Sequence, residues 1–168
     1  MTDDRIDPAP VADERTSLVG FLDYHRDTLA LKCEGLTDEQ LRLRAVPPSG
    51  MSLLGLVRHL TEVERTWFGR RVAGRDVPPL YFSEPDNPDG DFDDLDSPDI
   101  ATVFAAWRTA CAESREIVAA TSLDATAERR DGVEVTVRWI MLHMLEEYAR
   151  HNGHADFLRE RIDGATGE

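Results

Sequence analysis

Residues 84–99 carry eight acids and no base, with prolines at Pro85, Pro88 and Pro98. No long helix or strand can run through such a stretch, because prolines remove backbone donors and neighbouring carboxylates repel one another. On both sides of it the apolar residues keep helical spacing, so the chain divides into two helical halves joined by a long irregular link. Upstream, Leu18, Phe21, Leu22, Leu29 and Cys33 predict a helix over residues 13–33 that ends at Gly35. Thr37-Asp38-Glu39-Gln40 has the form of a capping box and opens a short helix to about Arg44. After the turn Pro47-Pro48-Ser49-Gly50, the residues Leu53, Leu56, Leu60, Val63 and Trp67 predict a second long helix over residues 52–72, stopping before Gly74. Downstream, Ser97-Pro98-Asp99 supplies a capping hydroxyl, a first-turn proline and an acid at the positive dipole end, and starts a helix to about Ala120. A turn at residues 130–133 and a briefly extended stretch at residues 133–137 precede the last helix, capped by Thr136 and running to about Ile162. The expected fold is all-α: a four-helix bundle with a long crossover connection between helices two and three. It forms a single domain over residues 13–162, between a flexible leader at residues 1–12 and a flexible tail at residues 163–168.

Charge narrows the function. A formal net charge of −14 disfavours nucleic acid, whose phosphates need a basic footprint, and disfavours anionic membranes for the same reason. The chain holds no run of eighteen apolar residues that could span a bilayer, and its acidic, proline-containing start is not a signal peptide, so a cytoplasmic protein is expected. Cys33 and Cys111 each fall in an apolar helical pattern, where a small buried thiol is favoured over a bridge or a nucleophile. The acidic stretch fails as a calcium loop, since setting Gly90 at the obligatory glycine puts Pro85 at the first ligand position.

Chemistry gathers in the last helix. His143, Glu147 and His151 recur every fourth residue and share one face, and His154 lies close to the same stripe. His59 follows Leu53 and Leu56 at helical spacing, so it lies on the inner face of the second long helix. Imidazole and carboxylate together suit a borderline divalent metal such as zinc or nickel. Taken alone, His59 reads as a core histidine satisfied by one hydrogen bond, and Glu147 as an acid paired with Arg150 or Arg138. Together with the others they read as ligands, because a buried polar group costs several kcal/mol unless bonded or coordinated.

The setting Leu54-Gly55-Leu56-Val57-Arg58-His59-Leu60, with Glu147-Tyr148-Ala149-Arg150-His151-Asn152-Gly153-His154-Ala155-Asp156 near the C-terminus, resembles the DinB/YfiT-like superfamily. More narrowly it resembles the actinobacterial members described as a domain of unknown function. The likeness runs from the first helix through Arg161. It implies a crossover four-helix bundle with a divalent metal held by one histidine from helix two and two residues at i, i+4 from helix four. Most members have histidine where this chain has Glu147. A His, Glu, His set is similar to that of the N-terminal domain of mycothiol-dependent maleylpyruvate isomerase. The resemblance thus implies His59, Glu147 and His151 as metal ligands, zinc first and nickel second, with His143 and His154 as neighbours facing a cofactor or substrate. It also implies a homodimer and a low-molecular-weight thiol such as mycothiol. The function expected is a thiol-dependent S-transferase or isomerase acting on a small molecule. The alternatives are a metal-dependent hydrolase, with Glu62 or Glu64 as base, and a non-catalytic metal-binding dimer.

Overall fold

The computed structural model describes residues 5–95 and 99–167. Its first helix, α1 (Glu14–Cys33), starts where Asp13 accepts the backbone N–H of Thr16, and ends before Gly35, whose φ of 73° terminates it. Both arms of the capping box at Thr37 form and open α2 (Asp38–Arg42). Ser52 caps α3 (Leu53–Glu64), and the chain then continues as a π-helical segment (Arg65–Val72). The expected second helix therefore keeps its ends but changes hydrogen bonding at Glu64, closing with the N–H of Ala73 on the carbonyl of Phe68.

The crossover contains a feature the acidic composition concealed: a single helical turn, α4 (Gly90–Asp93), which packs on α3. Asp99 caps α5 (Ile100–Ala120), accepting from Thr102; the start expected at Ser97 and Pro98 lies outside the described residues. The extended stretch before the last helix is β2 (Glu134–Thr136), and it pairs antiparallel with β1 (Thr126–Glu128). Gly132, with a φ of 81°, closes the turn between them. Thr136 then caps α6 (Val137–Asp163), accepting from the N–H of Trp139.

The four long helices bury one leucine-rich core, in which Leu22, Leu29, Leu53, Leu56, Leu60, Phe68, Ile140 and Met144 are essentially solvent-free. Each such side chain contributes about 1.5–3 kcal/mol on burial. α1 lies along α6, and α3 along α5, with α3 also touching α6. This is the all-α crossover bundle that the sequence predicts.

One polar layer crosses that core and ties all four long helices together. Arg26 of α1 donates from Nε and Nη2 to the two carboxylate oxygens of Glu64, the last residue of α3, at 2.8 Å each. Tyr148 of α6 donates to Oε1 of Glu64 at 2.9 Å and accepts from the indole N–H of Trp107 on α5 at 3.1 Å. Cys111 of α5 packs 3.7 Å from the same two oxygens. Every group is buried and every charge is paired, which makes the layer a register pin for α6. Both cysteines are free, and burial pushes each thiol up to about 12.

Candidate metal centre

Tyr148 is buried and held, so its neighbours along α6 are aimed. Glu147 and His151 turn toward α3, where His59 faces them. His59, Glu147 and His151 each offer a ligand atom, and the three atoms lie within 4.8 Å of one another. The rings of His59 and His151 are 4.7 Å apart between centroids, and Nε2 of His151 sits 3.4 Å from Oε2 of Glu147. Neither arginine that the sequence offers as a partner neutralises Glu147. Arg150 pairs with Glu146, and Arg138 with Glu14 and Asp124. Among the described residues, Glu147 meets only imidazoles. The hydrogen bond from His151 holds its carboxyl below the usual range against the opposing effect of burial, with His143 and His59 adding to the lowering.

Asp91 joins the candidate site although sequence reasoning did not single it out. It sits on α4, inside the acidic connection, with Oδ2 2.8 Å from Nδ1 of His59. A carboxylate oxygen accepts, so Nδ1 carries the proton and Nε2 keeps its lone pair for the centre. This carboxylate–histidine arrangement is how proteins orient metal-binding imidazoles. Its signal is long-range, 32 residues from His59, and no local pattern marks one acid among eight. The turn is pressed close by glycines: a Cβ on Gly55 would meet the Phe92 ring at 2.7 Å, and one on Gly90 would meet the Tyr81 carbonyl at 2.3 Å. Arg58 holds α4 from below, donating to the carbonyls of Gly90 and Asp94.

The other two histidines of the last helix flank the group on opposite sides. His143 places Nε2 3.4 Å from Oε1 of Glu147, and its ring stacks on Trp139 and meets the edge of Trp67. His154 sets Nδ1 3.4 Å from Nδ1 of His151. Two facing nitrogens need one proton between them. Burial, then the neighbouring His151 and Arg150, lowers the affinity of His154 for a proton. The remaining histidine, His25, meets Asn152 and does not join the group.

Of the two acids considered as bases, Glu64 is spent in the core layer. Glu62 accepts the backbone N–H groups of Leu80 and Tyr81, fastening the crossover to α3, while burial raises its pKa.

His59 opens onto a cleft of about 310 Å³, lined by Val63, Trp67, Phe82, Asp91 and Phe92. Two imidazoles and a carboxylate, with one imidazole held by Asp91, are a donor set that would fit a divalent cation. Nothing in the group requires a fourth protein ligand.

A crossover bundle presenting these groups from its second and last long helices is of the DinB/YfiT-like class. The model of the mycothiol-S-transferase family matches residues 17–164, and the chain belongs to that family. Among solved structures, it is similar to a conserved protein from Enterococcus faecalis, with a TM-score of 0.71 over 92% of this chain and 100% of that one. At 11% identity that likeness establishes the fold alone. A search of curated proteins finds no match. Among the described residues, no helix is long and apolar enough to cross a membrane.

Proposed function

We propose that this protein is a metal-dependent S-transferase that joins a low-molecular-weight thiol, mycothiol first among candidates, to a small electrophile. Zinc, or failing that nickel, is the cation, and His59, Glu147 and His151 are its ligands. The observation that carries this reading is the convergence of three ligand atoms within 4.8 Å around a glutamate that, among the described residues, no arginine or lysine pairs with. A divalent cation bound there would supply the Lewis acidity that lets a thiol lose its proton near neutral pH.

The protein's own groups do the rest. Asp91 fixes the tautomer of His59, and His154 lies against His151 from behind. His143, held on Glu147 between two indoles, is positioned to meet the body of the thiol. The apolar walls of Trp67, Phe82 and Phe92 limit water around the reacting atoms. In the transfer the thiol proton leaves to solvent, the sulfur lone pair forms the new S–C bond, and the leaving group departs with the electrons of the bond it breaks. An isomerisation would instead add the thiolate to a conjugated double bond, with a proton taken up at the far carbon, and after rotation about the new single bond would eliminate the thiol again.

The test combines binding with turnover. Zinc-loaded protein should bind mycothiol in titration calorimetry with proton release, and should conjugate it to monochlorobimane. The Glu147→Ala variant should lose both. Absence of thiol binding, or ester and amide hydrolysis at equal rates with and without thiol, would overturn the reading.

A further inference from the structure

The face of α3 that carries His59 does not end at the metal centre. Val63, Thr66 and Trp67 continue it, and Arg70 and Arg71 follow on the π-helical segment. There the small cleft runs into a larger one of about 900 Å³, the two sharing Thr66, Trp67, Phe82 and Glu84. Four arginines line the larger cleft: Arg70 and Arg71 on one wall, Arg129 and Arg130 from the β1–β2 turn on the other. In a chain of net charge −14 this is a local reversal of sign, placed beside the candidate centre.

The arginines are not equally committed. Arg70 donates to the carbonyl of Val77, and Arg129 pairs with Asp131 and lies over the Trp139 ring. Among the described residues Arg71 makes no hydrogen bond or ion pair. Arg130 holds Glu84 through two parallel contacts of 2.9 and 2.6 Å, the fork geometry with which a guanidinium receives any carboxylate. That pair is exposed, 78% for Arg130 and 47% for Glu84, so exchanging one carboxylate for another costs little. Glu84 also lines the small cleft, so its departure would clear the passage between the two.

We infer that the electrophile is an anion. Its carboxylate, or an equivalent oxyanion, displaces Glu84 from Arg130, with Arg71 as the second cation, while its reactive carbon reaches back to the centre. The inference rests on the S-transferase reading and adds the class of acceptor. Without these cations, an anionic acceptor would be repelled both by the protein's net charge and by the thiolate it must meet.

The experiment uses N-chloroacetyl derivatives of ω-amino acids of increasing chain length, each beside its methyl ester, with mycothiol and zinc-loaded protein. The thiol sulfur attacks the chloroacetyl methylene, the S–C bond forms and chloride leaves, so both members of a pair react by the same step. The wild type should prefer the free acid in kcat/KM at one chain length. That ratio of acid to ester should fall about threefold in Arg130→Gln, the effect of one exposed guanidinium–carboxylate pair, through KM. In Glu84→Gln, where the internal competitor is weakened, it should rise.

A second readout needs no turnover: calorimetric binding of the unreactive N-acetyl acid of the same length to metal-free protein, weakened in Arg130→Gln and Arg71→Gln. Transfer to acids and esters alike, or a preference untouched by Arg130→Gln, would overturn the inference and leave the S-transferase reading standing. A rise in the KM of the thiol for both acceptors would place the anion on the thiol and also overturn it. No transfer to any acceptor would instead defeat the underlying reading.

Discussion

Replacing Arg26 by methionine should be among the most damaging single changes in this protein, although Arg26 touches no ligand. The change removes both 2.8 Å contacts to Glu64 and leaves a carboxylate with no solvent access and only the Tyr148 hydroxyl as a strong donor. Breaking a buried ion pair from one side costs about 3–5 kcal/mol. That is a large share of the roughly 5–15 kcal/mol by which a domain is stable. With a urea dependence of about 2 kcal/mol/M, the unfolding midpoint should fall by about 2 M. The double variant Arg26→Met/Glu64→Met removes both charges and leaves chiefly the Tyr148 hydroxyl short of a partner, a loss of about 1–2 kcal/mol. It should therefore be more stable than the single variant. Urea unfolding followed by circular dichroism measures all of this. A midpoint shift under about 0.5 M for Arg26→Met, or a double variant no better than the single, would refute the account of the polar layer.

Other outcomes follow from the same geometry. Asp91→Ala should leave the fold intact and weaken metal binding about 10–100-fold in a chelator competition, because His59 loses the partner that fixes its tautomer. Gly55→Ala should push Phe92 and α4 outward, since its Cβ would lie 2.7 Å from the ring, and so weaken metal binding without touching a ligand. Cys33 and Cys111, with thiols near 12, should resist iodoacetamide at pH 8 in the native protein and react when it is unfolded. The same shifts set an alkaline limit. The folded thiols keep their protons up to about 12 while the unfolded ones release them near the ordinary value of 9.0, so stability should decline as pH rises through that window.

What the sequence disclosed and what it hid divide along contact range. Asp13, Thr37, Ser52 and Thr136 act on N–H groups three residues away, so the helix starts they cap were legible in the chain. The i, i+4 stripe of α6 was legible for the same reason. Features made by distant partners were not. Glu64 could pass for a catalytic base because nothing near it in sequence names Arg26, 38 residues away. Asp91 was one more acid in an acidic stretch until α4 folded it against α3. The π-helical turn and the pairing of β1 with β2 likewise depend on packing rather than on composition.

Metal content tests the central claim most directly. Untagged protein, purified without chelator and measured by inductively coupled plasma mass spectrometry, should carry about one zinc or nickel per chain, and His59→Ala, Glu147→Ala and His151→Ala should each lose it while remaining folded. Wild-type protein that takes up no divalent metal even after reconstitution, or variants that retain it in full, would contradict the account.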